Sequence, residues 1–144
     1  MTAFLGRMAA SLLLLAVSLA GGPAAAQETA PLRVELNKLE EAGADCRATV
    51  VTENAGSDRL ESLKLDLVVF GGDGVVAKRL AAEFGPLPGR KTVVKTFPIG
   101  GLSCTAIDRV LVNDVVACAS PAGPVAGCVE RIEPSSRAAA RFVK

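Results

Sequence analysis

Apolar and polar residues alternate with a period of two along most of this chain, the spacing of strands that turn one face to a core. The stretch "ESLKLDLVVF" sets Leu63, Leu65, Leu67 and Val69 on one face and Lys64, Asp66, Val68 and Phe70 on the other. "CRATVVTEN" opposes Cys46, Ala48, Val50 and Thr52 to Arg47, Thr49, Val51 and Glu53. "KTVVKTFPI" and "DRVLVNDVVAC" are β-branched extended runs, the first ended by Pro98 and the Gly100-Gly101 pair. "VVAKRLAAEF" places Val76, Leu80, Ala82 and Phe84 on a shared face, and "GPLPG" closes it as a turn. "LRVELNKLEEAG" carries both a strand pattern through Leu32, Val34 and Leu36 and a helical stripe through Leu32, Leu36 and Leu39. A strand through about Lys38 is preferred, because its neighbours are strands; "CTAIDR" has room for one helical turn. Short strands separated by Gly, Pro and Asn turns predict an all-β fold, an antiparallel sandwich or barrel, with no room for parallel crossover helices.

One apolar block breaks the alternation. Met1 to Met8, whose only side-chain charge is Arg7, precede "AASLLLLAVSLA", and "GGPAAAQETA" follows with an Ala24-Ala25-Ala26 cleavage pattern. A core of that length is a signal peptide and falls short of the roughly 20 residues a membrane span needs. The expected division is a signal peptide at 1–26, a short linker at 27–31 and one domain at 32–144 that includes a C-terminal Cys-tethered segment. Cleavage after Ala26 leaves about 118 residues, one domain's worth of chain. An exported, periplasmic product without a membrane span is expected. The uncleaved anchor is the rival reading.

Export changes what the composition means. Of the 16 basic residues only Arg7 leaves with the leader, so 15 face 15 acidic residues. A balanced surface gives no argument for nucleic-acid or anionic-membrane binding. Four cysteines, Cys46, Cys104, Cys118 and Cys128, form an even set in a small exported chain and read as two disulfides. No C-x-x-C spacing is present, so neither a thioredoxin-like pair nor a zinc ribbon fits. Cys46 opens one strand and Cys104 lies just past the end of another. Antiparallel neighbours would bring them together, while Cys118 and Cys128 flank the turn-rich "ASPAGPVAG". The favoured pairs are therefore Cys46–Cys104 and Cys118–Cys128, with Cys104–Cys118 across a hairpin as the alternative.

The residues that are missing narrow the chemistry. With no His, Trp or Tyr there is no Ser-His-Asp or Cys-His machinery and no imidazole metal ligand. Phe70, Phe84, Phe97 and Phe142 are the aromatics beyond the leader, and most sit in apolar runs where a core role is the default. "GGDG" at Gly71 to Gly74 has the look of a phosphate or metal loop. It leads into another extended run rather than a helix, and Asp73 is its lone oxygen-bearing side chain. A hairpin corner is the expectation. No catalytic residue, cofactor or metal ligand is expected, unless acids and a lysine such as Asp108, Asp114 and Lys95 converge on one cavity.

The ordered segments "LRVELNKLEEAGADCRATVVTEN", "LDLVVFGGDGVV", "FGPLPGRKTVVKTFPI", "C…IDRVLVNDVVAC" and "C…SSR" resemble a family of short exported bacterial proteins usually labelled Tat pathway signal sequence domain proteins. That resemblance implies a Gram-negative periplasmic protein with an immunoglobulin-like β fold and matching cysteines at Cys46, Cys104, Cys118 and Cys128. It brings no activity. The paired arginines of the twin-arginine route are absent, so Sec export is expected instead.

The leading functional reading is a non-enzymatic module that binds another periplasmic or envelope protein, by a sheet edge or by the apolar outward positions Val68 and Phe70. Packing of those two residues under the C-terminal "RAAARFVK" is the preferred alternative for them, with Arg137, Arg141 and Lys144 as a solvated face and Ser135-Ser136-Arg137 as a turn. A small-ligand or metal carrier is the second functional reading.

Overall fold

The structure, a computed structural model, describes residues 30–144. The expected leader and its cleavage site lie outside the described residues. Nine strands follow in order: β1 (Leu32–Ala42), β2 (Asp45–Asn54), β3 (Ser62–Phe70), β4 (Val76–Glu83), β5 (Lys91–Ile99), β6 (Arg109–Ser120), β7 (Gly123–Pro124), β8 (Ile132–Ser136) and β9 (Arg141–Val143). A 3-10 turn at Cys104–Ala106 fulfils the single helical turn expected there, and a short helix α1 covers Cys128–Arg131.

The strands form two sheets, one in the order β5-β2-β1-β8 and one in the order β4-β3-β6-β7, with β9 also pairing β6. The alternation read from the sequence decides what is buried. β2 buries Cys46, Ala48, Val50 and Thr52, and β3 buries Leu63, Leu65, Leu67 and Val69. Residues from both sheets join one buried cluster, which Phe84, Leu87, Ile132 and Phe142 complete. Each fully buried Leu contributes about 2 kcal/mol of transfer free energy. The strands are not antiparallel throughout: β1 pairs β8 in parallel, and β6 pairs β9 in parallel.

Bulges explain where the pattern misleads. In β1 the pairing passes from Leu36↔Val50 to Lys38↔Thr49, which leaves Asn37 as an extra residue. The extra residue returns Leu39 to the core side, where it packs against the buried cluster. Leu32, Leu36 and Leu39 therefore share a face without a helix, and the strand runs past Lys38 to Ala42. In β4 the pairing jumps from Val69↔Lys78 to Phe70↔Val76. Ala77 is the extra residue. Val76 is turned outward beside Phe70, 53% exposed, and does not share the face of Leu80, Ala82 and Phe84. β6 carries two such shifts, with Asn113 and Val116 as the unmatched residues.

"GPLPG" is not a simple turn. It carries the chain from β4 in one sheet to β5 in the other, and Leu87 within it is fully buried. Leu60 and Leu87 exchange backbone hydrogen bonds of 2.9 and 2.7 Å. The buried Asn54 donates from Nδ2 to the carbonyls of Asp58 (2.8 Å) and Leu87 (3.3 Å). Glu83 anchors the start of the crossover. Its carboxylate accepts from Ser62 Oγ (2.7 Å), Leu63 N (2.9 Å) and Gly85 N (2.7 Å).

Both disulfides join the expected cysteines. β2 and β5 are antiparallel neighbours with Cys46 opposite Ile99, so the chain beyond β5 brings Cys104 to Cys46 at a Cα separation of 4.8 Å. Cys118 near the end of β6 bonds Cys128 at the start of α1. The Gly71 to Gly74 loop is the expected corner between β3 and β4. Gly71 N donates to Val75 O, Gly74 N donates to Gly71 O, and Gly74 has φ +78°.

Candidate functional site

β3 lies at the centre of the second sheet, and the register of its neighbours assembles the outward face row by row. Phe70 is flanked by Val76 of β4 and Arg109 of β6. Val68 is flanked by Arg79 and Leu111, and Asp66 by Ala81 and Asp114. β9 widens the face, placing Arg141 beside Arg109 and Val143 beside Leu111. The C-terminal segment thus extends the sheet and sends Phe142 into the core. This corrects the expectation that "RAAARFVK" lies over Val68 and Phe70.

Arg109 caps Phe70 instead. Its guanidinium carbon sits 4.1 Å from the ring centroid, a cation–π stack on an outward aromatic. The Arg109 Nε is buried and finds no hydrogen-bond partner. Among the described residues Arg109 forms no ion pair, whereas both neighbouring arginines do. Arg141 Nη2 lies 2.7 Å from Asp108 Oδ2, and Arg79 clamps Asp66. Asp66 is a nearly buried carboxylate on this face, with its side chain only 9% exposed. Hydrogen bonds from Arg79 and then from Asn113 hold its carboxyl below the usual aspartate value, against the opposing pull of burial. For Glu83 burial alone would raise the pKa. The donors Ser62, Leu63 and Gly85, with the charge of Lys95 nearby, outweigh it and lower the carboxyl.

The sequence marked Val68 and Phe70 as apolar outward positions but missed Arg109, Leu111 and Val143. Arg109 opens a Val-rich strand and looks like a boundary residue. Only its register opposite Phe70 reveals the stack.

The other candidates do not converge. Asp108 is paired with Arg141, Asp114 lies on the outward face of the second sheet, and Lys95 in the first sheet donates to the Gly85 carbonyl. Among the described residues no three His, Cys, Asp or Glu gather as a metal site requires. Arg137 and Arg141 are exposed as expected, and each is ion-paired, Arg137 to Glu35 at 2.9 Å. Lys144 reaches back to the carbonyls of Val129, Glu130 and Ile132 at the end of α1. Ser135 and Ser136 belong to β8, and Ser136 Oγ donates to Ala140 O at 2.6 Å.

A second feature is an open cleft of about 800 Å³ between the loop at Gly56 to Leu60, the β6–β7 hairpin and Arg131. Its polar lining includes Ser57, Asp58, Arg59, Ser120 and Arg131. Arg59 is held by Glu61, and Arg131 Nε donates to Ala30 O at 2.9 Å. No described helix is long and apolar enough to cross a membrane.

The described residues therefore offer a patterned sheet face and an open cleft of mixed lining. No family model matches this chain, and no curated protein and no solved structure matches it.

Proposed function

We propose that this chain is an exported, non-enzymatic, immunoglobulin-like β-sandwich that binds another periplasmic or envelope protein through the outward face of its second sheet. The observation that carries the reading is the Arg109–Phe70 stack, a guanidinium on an outward aromatic ring with no acidic partner of its own. Arginine and aromatic side chains on an apolar patch are the composition of interface hot spots; Val76, Leu111 and Val143 supply that patch around a Val68 that is only 8% exposed. Two disulfides in so small a domain suit an oxidising compartment. They agree with the periplasmic location implied by the leader and by the resemblance to the Tat pathway signal sequence domain proteins. A binding experiment tests the reading. The oxidised protein is used as bait against a periplasmic and envelope extract, beside Arg109→Glu. One stoichiometric partner retained by the natural chain and lost by the variant supports the face. Equal capture by both, or none by either, removes it.

The cleft beside Arg131 supports the second reading, a small-ligand carrier. Arg131, Ser57 and Ser120 place polar groups on a concave opening also lined by Leu60, Pro121 and Val125, a mixture that suits a small amphipathic ligand. Ligand protection that disappears in Arg131→Ala while Arg109→Glu retains it would favour the carrier.

A further inference from the structure

We propose that β5 is a self-pairing edge, along which two copies of this chain join antiparallel about a twofold axis at Val94. β5 ends its sheet and pairs with β2 alone, over the whole run from Lys91 to Ile99 with no register shift. The comparable edges are blunted: β4 carries the Ala77 bulge, and β8 is five residues long and contains Pro134. An uninterrupted edge presents a row of backbone donors and acceptors that another strand can satisfy.

The outward side chains of β5 say which strand fits. Thr92, Val94 and Thr96 stand beside Glu53, Val51 and Thr49 of β2. Thr92-Val94-Thr96 is a palindrome about Val94, and an antiparallel pairing centred there is self-complementary. Val94, 61% exposed in the single chain, then meets Val94 of the partner subunit. Thr92 meets Thr96 of the partner subunit. These are β-branched cross-strand pairs, the favourable kind. With Val51 behind Val94 on both sides, a row of four valines crosses the axis, and no charge falls within it. Such an interface is isologous and closes after two copies.

Inward charge does not block the pairing. Lys95 faces the core side, opposite the buried Val50, and donates to the Gly85 carbonyl of its own chain. Lys78 on β4 donates likewise to the Gly100 carbonyl. Both lysines are engaged within their own chain, and Lys91, opposite the buried Asn54, lies on the same inward face at the start of the strand, away from the Val94 axis. Pro98 lacks an N–H and limits the ladder to the stretch before it. This inference stands apart from the partner reading, because it uses the other sheet.

Sedimentation of the oxidised protein from full-length expression tests it, with two variants. The natural chain should shift from monomer to dimer with rising concentration. Val94→Lys sets like charges opposite each other and should remain monomeric, with thermal unfolding equal to the natural chain's in dilute solution, where both are monomers. Val94→Cys should form a disulfide-linked dimer, because paired antiparallel strands place the two Cα atoms within disulfide range. Val116→Cys, on an equally exposed valine of the other sheet, should not. A natural chain that stays monomeric throughout, a Val94→Lys variant that associates like it, or Val94→Cys cross-linking no faster than Val116→Cys overturns the proposal.

Discussion

Arg79 clamps Asp66 through two parallel hydrogen bonds, Nε to Oδ1 at 2.8 Å and Nη2 to Oδ2 at 2.6 Å. The pairing keeps Asp66 ionised below the ordinary aspartate value of 3.8, as the crossover donors keep Glu83 below the ordinary glutamate value of 4.5. On acidification the unfolded chain takes up these protons first, so the unfolded state gains ground. The stability from both groups is complete above about pH 5 and is lost as pH falls through their lowered native values. Urea midpoints should be level from neutral pH to about pH 5 and drop below it. Asp66→Asn should flatten that acid slope, and an unchanged slope would assign it to other carboxylates.

Removing Cys46–Cys104 by a paired serine substitution should cost about 4 kcal/mol, and removing Cys118–Cys128 about 3 kcal/mol, because the first closes the longer loop. The bonds span 58 and 10 positions respectively. In a domain with about 5–15 kcal/mol in total, the first loss lowers the melting temperature by roughly 15 °C. Thermal circular dichroism of both variants checks the size and the order.

Leu87 is buried to 0% within the segment that connects the sheets. Leu87→Ala should destabilise the protein by about 3 kcal/mol through lost transfer free energy and the cavity left behind. Val94→Ala, on an open edge, should stay within about 0.5 kcal/mol in dilute solution. Urea denaturation of the pair separates a core residue in a connector from a surface valine in a strand.

Gly89 admits no side chain, since an added Cβ would lie 1.9 Å from the Ser57 carbonyl oxygen. Gly89→Ala must push the crossover away from the 56–58 loop, which Arg90 N also binds through Gly56 O at 2.8 Å. A loss of about 2–3 kcal/mol is expected. Gly72→Ala is the control, with nothing within 4 Å of its added Cβ, and should fall within about 0.5 kcal/mol. Similar losses in both would show that the crossover yields freely.

Strand positions were legible from local spacing, and the cysteine partners from where each cysteine falls at the end of its strand or loop. Leu63, Leu65, Leu67 and Val69 face inward where alternation alone puts them, and the antiparallel β2–β5 pair carries Cys104 back to Cys46. Bulges were not legible. One unmatched residue reverses facing, so Asn37 makes β1 mimic a helix and Ala77 turns Val76 outward. The parallel partners of β1 and β6 were also hidden. They come from "IEPSS" and "RFV", short segments whose place depends on contacts about a hundred and about thirty positions away in sequence. At the candidate site, Phe70 could be flagged as apolar on an outward face. Arg109 could not, because its meaning rests on register with a strand nearly forty positions earlier.

Each disulfide joins a cysteine to the next one along the chain, Cys46 to Cys104 and Cys118 to Cys128. On the proposed export route, a polypeptide threaded through a translocon from its amino end would present these thiols in that order. An oxidase that links every newly arrived thiol to the unpaired one before it produces the native set directly. On that route, maturation would need a donor of oxidising equivalents and no shuffling catalyst.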